Sequence, residues 1–279
     1  MAERTIDVRA KAMAGNAATT TMDPITKALQ KVRQDRSAGV GLQRRALVPA
    51  EINYTQTRKV SLYPGWLRQN RVVAADGYDE YARAYKVLRT QVSQRMRAQG
   101  WRTLAVTSPG RGEGKTLTAI NLSISLALEA NQTVLLVDAD LRQPSVHTYF
   151  GFDVEFGLRD HLQDGVPVER ILVHPEIRRL VVLPGSTPLV NSSEMLASPV
   201  MLRLVQELKR RYPSRIVVFD LPPVLTTDDV LAFAPYLDCA LLVLEEGKTL
   251  REDAARAAHL LQAANHNLIG SVLNKAADE

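Results

Sequence analysis

Residues 103–123 read TLAVTSPGRGEGKTLTAINLS. A short apolar run, 103–107, passes through a glycine-rich stretch into a helix-forming one, the strand–loop–helix order that a phosphate-binding loop requires. Gly110, Gly112 and Gly114 let the backbone curl so tightly that successive N–H groups face one anion. Lys115 is placed to reach the β- and γ-phosphates of a nucleotide and Thr116 to put its hydroxyl on Mg²⁺, while the helix N-terminus adds the positive end of its dipole. The common form of the loop has glycine six residues before the lysine, where this chain has Pro109. The competing reading, a glycine-rich turn with a chance Gly-Lys-Thr, leaves the strand before it and the helix after it unexplained.

From residue 102 onward, short apolar runs alternate with helical stretches. The runs are 103-TLAVT, 133-TVLLVD, 180-LVVLP, 216-IVVFD, 239-CALLVL and 268-LIGSVLN, each apolar on both faces as strands buried in a parallel sheet must be. Helices are predicted at about 115–130, 199–212 and 250–265. The alternation predicts an α/β fold, a doubly wound and mostly parallel sheet with its ligand crevice at the carboxyl ends of the strands. Two more signals fall at such ends. The stretch 134-VLLVDADLRQP sets Asp138 and Asp140 just beyond a strand, where they either project into the phosphate crevice or cap the following turn. The stretch 216-IVVFDLPP ends its strand in Asp220, which fits an aspartate holding Mg²⁺, commonly through water, or else a turn residue ahead of two prolines. Three such signals, all at strand ends and in this order, make coincidence a poor account.

The rest of the chain divides at about residue 77. Residues 78–99 read as an amphipathic helix with Tyr81, Tyr85, Leu88, Val92 and Met96 on one stripe and Gly100 at its end. Residues 40–75 read as a linker able to drape over the body, residues 23–38 as a short helix opened by Asp23-Pro24, and the first 22 residues as disordered. The net charge of +5 hides an asymmetry: residues 1–100 carry +10 and residues 101–279 carry −5. A basic arm on an acidic body fits contact with anionic lipid or an acidic protein face, or simply a solvated extension. No nucleic-acid platform is expected, because the basic residues lack interleaved aromatics. With 46% hydrophobic residues the chain can bury a full core, and its single cysteine, Cys239, excludes a disulfide framework or a cysteine-cluster metal site. His147, His161, His174, His259 and His266 share no metal spacing. The opening MAERTIDVRAKAMAGNAATT has no apolar segment of a secretory signal, and no run approaches a membrane span, so a soluble cytoplasmic protein is expected.

With these residues assembled, the chain resembles the bacterial tyrosine kinases of capsule and exopolysaccharide systems, in the deviant-Walker branch of phosphate-loop ATPases. That family carries a Walker A loop, a second box of three apolar residues followed by D-x-D-x-R, and a Walker B strand ending D-x-x-P. Here these are Ser108–Thr116, then Val134–Arg142, then Ile216–Pro223. The segments 191-NSSEMLASPVM, 212-YPSRIVVFDLPPVLTTDD and 272-VLNKA are also similar to the family, and 24-PITKALQKVRQ is similar to the leading helix of the exosortase-associated autokinase subgroup. The resemblance implies an ATP-dependent protein tyrosine (auto)kinase that regulates polysaccharide polymerisation and export. Ser108, Pro109, Gly110, Arg111, Gly112, Glu113, Gly114, Lys115, Thr116 and Leu117 would form the ATP cradle. Thr116, Asp140 and Asp220 would serve Mg²⁺, Asp138 would orient or deprotonate the tyrosine hydroxyl, and Arg142 would steady the phosphoryl group or form a structural salt bridge. The implied partner is the cytoplasmic tail of a membrane co-polymerase (chain-length determinant), with a homo-oligomer and a position peripheral to the inner membrane.

Two departures from the family pattern bear on this. The tyrosine-rich tail is replaced by 274-NKAADE, leaving Tyr78, Tyr81 and Tyr85 as the only tyrosine cluster, with Tyr81 and Tyr85 expected to pack against the body. The assembly motif E-x-x-R-x-x-R appears as Arg83, Lys86 and Arg89. Two alternatives stand beside the kinase: a non-catalytic nucleotide-binding adaptor of the same machinery, and a positioning ATPase of the partition or septum-site type. The latter carry a signature lysine five residues before the Walker lysine, where this chain has Gly110.

Overall fold

The computed structural model describes residues 57–74, 79–130, 132–211, 214–264 and 267–276. The short helix expected at 23–38, Tyr78 and His266 lie outside them. All six apolar runs form strands: β2 (Thr103–Thr107), β3 (Thr133–Asp138), β5 (Leu180–Leu183), β6 (Arg215–Asp220), β7 (Cys239–Glu245) and β8 (Asn267–Asn274). Two strands of two residues each, β1 (Arg58–Lys59) and β4 (Val173–His174), extend the sheet, and their brevity is why no sequence period marks them. The order is β1-β4-β5-β3-β6-β2-β7-β8, with every pairing parallel except β4 with β5.

Helices cover both faces. Alternate residues of one strand therefore enter two separate cores, which is why the runs are apolar throughout. Leu104 and Val106 of β2 join Val92 and Met96 of α2 (Glu80–Gln99) and Ile120 and Ile124 of α3 (Lys115–Ala127). Ala105 faces the other way, into the core built with Leu204 and Leu208 of α8 (Pro199–Arg211) and Leu261 of α10 (Arg251–Ala263). None of the described helices is long and apolar enough to cross a membrane.

Helix α2 is capped as its sequence requires: the Asp79 carboxylate accepts from the Tyr81 and Ala82 amides, and Gly100 ends it at φ +70°. One expectation is corrected. Tyr81 is 69% exposed, because Ala82 takes the inner position in that first turn and turns its neighbour outward; Tyr85 does pack against the core.

Residues 57–74 lie against this body. Strand β1 adds to β4, and α1 (Pro64–Gln69) follows. Its Trp66 donates from Nε1 to the Thr148 carbonyl at 2.9 Å, over Gly151, where any Cβ would strike the indole. The buried Asn121 of α3 completes the attachment. Its Oδ1 accepts from the Val73 and Ala74 amides at 2.9 and 3.0 Å, while Nδ2 donates to the Arg71 and Leu117 carbonyls at 3.0 and 3.2 Å. Three of these four hydrogen bonds hold the strap, and the fourth returns to the helix's own backbone. Asn121→Leu leaves buried backbone groups unpaired and is expected to cost roughly 2–4 kcal/mol. The check is a lower urea midpoint together with faster hydrogen exchange at the Val73 and Ala74 amides; unchanged exchange there would refute the attachment.

Candidate functional site

The strand order β3-β6-β2 sets three chain segments side by side. Asp220, the last residue of β6, lies opposite Val106 of β2 on one side and Asp138, the last residue of β3, on the other. Backbone bonds continue past the strand ends: Ala139 N–H donates to Asp220, Leu221 N–H to Val106 and Val224 N–H to Ser108. The glycine-rich loop and both aspartate-bearing ends therefore share one edge of the sheet.

The loop passes through the left-handed region at Gly112 (φ +76°) and Gly114 (φ +93°) and not at residue 109, so Pro109 in place of the usual glycine meets no backbone conflict. Ser108 Oγ donates to the Gly110 carbonyl at 2.7 Å. Gly114 precedes α3, which has no side-chain cap and no acid in its first turn, leaving its first N–H groups for an external anion. Glu113 is buried and turned inward, accepting from the Gly110 amide at 2.8 Å and the Thr249 hydroxyl at 2.6 Å. Leu117 points into the core beneath the loop.

Lys115 is the centre of charge. Its Nζ lies 2.7 Å from Asp140 Oδ2, 3.7 Å from Asp220 Oδ1 and 3.2 Å from Thr116 Oγ1. Burial works to lower the Lys115 pKa, but Asp220 and then Asp140 outweigh it and raise it, so the ammonium stays charged. Burial pushes the Asp220 carboxyl from the ordinary 3.8 up to about 6, against the opposing pull of Lys115. Both Asp220 oxygens are buried without a hydrogen-bond donor of good geometry. Such a carboxylate, beside a threonine hydroxyl, fits a hard cation that takes oxygen ligands, and Mg²⁺ characteristically uses one or two carboxylates together with substrate phosphates. Among the described residues no three His, Cys, Asp or Glu side chains converge as a metal-binding set of their own.

The charged residues of the second box, Val134–Arg142, lie in three different environments. Asp140 receives Lys115 on one oxygen and the Gln143 amide on the other. Asp138 Oδ2 accepts from the Ser145 and Val146 amides at 2.9 Å each, bracing the start of α4 (Val146–Phe150), while Oδ1 is buried without a donor. Burial, then the nearby Asp220, lifts the Asp138 carboxyl well above its usual range. Arg142 is engaged elsewhere: its Nε donates to Asp229 Oδ2 at 2.7 Å, and Asp229 in turn accepts from Ser192. Of the residues read from the sequence, the structure thus groups Lys115, Thr116, Asp140 and Asp220, sets Asp138 alongside, and ties Arg142 into a salt bridge. Glu245, Lys248 and Thr249, which reach the loop or its neighbours from the end of β7, belong to no sequence motif, while Asn274 and Lys275 at the end of β8 lie in the family-like 272-VLNKA, which carried no site role.

Comparison with known proteins places the chain. Residues 101–237 match the family model described as an AAA domain. The chain is 31% identical over 208 residues to the tyrosine-protein kinase YwqD of Bacillus subtilis, covering 75% of this chain and 86% of that protein. It is 26% identical over 204 residues to the tyrosine-protein kinase ptk of Acinetobacter johnsonii, covering 73% of this chain but only 27% of that longer protein. The kinase domain of the Escherichia coli tyrosine kinase ETK superposes with a TM-score of 0.68 at 25% identity, over 75% of this chain and 82% of that one. The chain belongs to the bacterial tyrosine-protein kinase family.

A measurable consequence follows from the burial of Asp220. Its folded pKa, about 6, lies above the unfolded value, so the folded state binds more protons between the two. The nucleotide-free protein is therefore expected to lose stability as pH rises from about 4 to about 6. Asp220→Asn is expected to flatten that slope and raise the melting temperature of the nucleotide-free protein at pH 8. An unchanged melting curve there would show that Asp220 is not strained by its burial.

Proposed function

We propose that this chain transfers the γ-phosphoryl group of ATP to tyrosine hydroxyls in the machinery that polymerises and exports a polysaccharide. One observation carries the reading: a single buried ammonium, Lys115, held between Asp140 and Asp220 at the mouth of the glycine loop, with Asp138 on the adjacent strand keeping one oxygen without a donor. The N–H groups of residues 111–116 together with Lys115 would hold the β- and γ-phosphates, the Gly110 N–H being taken by Glu113. Thr116, Asp140 and Asp220 would hold Mg²⁺, which supplies neutralisation of the charge that develops on the transferred group. Lys115 would leave its carboxylate partners for the phosphates as nucleotide enters. Asp138 would take the phenolic proton at Oδ1 while two backbone amides hold Oδ2 in place. A carboxyl raised above its usual range is better matched to a phenol than an ordinary aspartate, because proton transfer works best between groups of similar affinity.

Of the tyrosine cluster, Tyr81 is the acceptor this reading favours, since its ring stands in solvent while burial raises the pKa of Tyr85. The polysaccharide context and an activating co-polymerase tail follow from the family resemblance. The adaptor alternative loses ground because a mere binding module has no need of a buried carboxylate with an unused oxygen.

Incubation with Mg²⁺ and ATP, with and without a co-polymerase tail, followed by phosphotyrosine mass spectrometry, tests the proposal. Lys115→Ala is expected to lower phosphotransfer about 100-fold or more. Asp138→Asn is expected to lower kcat by roughly 100-fold with ADP affinity retained, because Asp138 acts on the acceptor and not on the phosphates. Binding of ATP without any tyrosine modification, on this chain or the tail, would overturn the kinase reading in favour of the adaptor.

A further inference from the structure

The side of the glycine loop away from the phosphates is also occupied. Lys248 Nζ donates to the Arg111 carbonyl at 2.8 Å, Lys275 Nζ to the Gly112 carbonyl at 3.0 Å, and Asn274 Nδ2 to the Glu113 carbonyl at 2.9 Å. Three successive loop carbonyls are thus taken by three side chains from the ends of two adjacent strands. Glu245 links the two lysines, 3.1 Å from Lys248 and 2.8 Å from Lys275, and these contacts, that with Lys275 first, hold its carboxyl below the usual range. The same group of residues grips the loop a fourth time. Thr249 Oγ1 accepts from the Glu245 amide at 2.8 Å, which commits its proton to Glu113.

A trans peptide is planar, with the C=O of one residue and the N–H of the next pointing in opposite directions. Fixing the carbonyls of residues 111, 112 and 113 toward β7 and β8 therefore fixes the N–H groups of Gly112, Glu113 and Gly114 away from them. Among the described residues, the Gly112 and Gly114 N–H groups have no protein acceptor. Two further features show how closely the parts are fitted. A Cβ on Gly114 would collide with the Asn274 amide, and one on Gly112 would stand 3.2 Å from Lys248 Nζ. Lys275 itself sits in the left-handed region at φ +58°, a conformation that costs a non-glycine residue energy and that the surrounding contacts must hold.

We infer that Lys248, Lys275 and Asn274, aligned by Glu245, are positioning residues that preset the phosphate loop by holding its outward carbonyls. They turn three N–H groups toward the nucleotide before it arrives. Presetting removes the cost of ordering the loop on binding, so the gain appears in nucleotide affinity. The inference rests on the nucleotide-binding part of the function proposed above.

The test is calorimetric titration of the full chain with Mg²⁺ and ADP, alongside the melting temperature of each nucleotide-free protein. The variants are the pair Lys248→Met with Lys275→Met, the pair Lys248→Arg with Lys275→Arg, and Lys275→Met alone as the milder change. The methionine pair is expected to weaken ADP binding by about 10- to 100-fold, the yield of losing hydrogen bonds from charged donors. The arginine pair, which keeps charged donors of similar reach, is expected to recover most of it. The nucleotide-free melting temperature should hardly move, since both lysines are half-exposed. In steady-state assays the ATP KM should rise with kcat preserved. Wild-type affinity in the methionine pair, a loss that arginine does not restore, or a matching fall in melting temperature would each overturn the inference. Failure of the wild-type chain to bind ADP would instead overturn the nucleotide reading, and this inference with it.

Discussion

One ammonium among buried carboxylates organises this molecule. Lys115 is the cation at the carboxyl edge of the central strands, and Asp140 and Asp220 are both held against it. Burying acids costs several kcal/mol unless a positive charge or donors accompany them. With a single lysine shared between two carboxylates, and Asp138 close behind, the site is short of positive charge. Such a site suits a hard divalent cation beside the acids and an anion beside Lys115.

That arrangement is sustained by a scaffold that cannot relax around it. The aspartates lie at or just past the ends of strands locked on both sides by parallel ladders, and both sheet faces are sealed by helices. Close-packed interiors transmit small displacements instead of absorbing them, so the sheet sets the spacing of the carboxylates. The strap at 57–74 adds to this from outside by fastening to α3, the helix that opens directly after the glycine loop. Side chains from β7 and β8 complete the enclosure on the remaining side of the loop, so the loop and the acids beside it are held by different strand ends.

Much of this was legible in the sequence. The six apolar runs marked their strands because burial on two faces demands an unbroken apolar stretch, and Gly112, Gly114 and Lys115 marked the loop because curling a backbone around phosphate needs glycine and a long cation. Asp138, Asp140 and Asp220 were recognisable as strand-end acids through their position after such runs. What each acid does was not recognisable. Asp138 braces the following turn with one oxygen, as the capping reading has it, and leaves the other without a donor. Arg142, with two readings open, is tied to Asp229, 87 residues away in the chain.

The sequence by itself therefore determined the local chemistry: which segments are strands, where the backbone can bend into a nest, and which charged residues end the strands. Those properties depend on neighbours within a few residues, and hydrophobic period and glycine placement report them directly. Only the tertiary structure decided the partners. That Lys248, Asn274 and Lys275 hold the carbonyls of Arg111, Gly112 and Glu113 depends on β2, β7 and β8 lying next to one another, across some 137 to 163 residues of chain. A two-residue strand such as β1 likewise exists only because the edge of β4 is there to receive it. Contacts of this kind carry no local periodicity, because the energy that selects them is paid out in packing and pairing between distant segments and not in the conformation of either one.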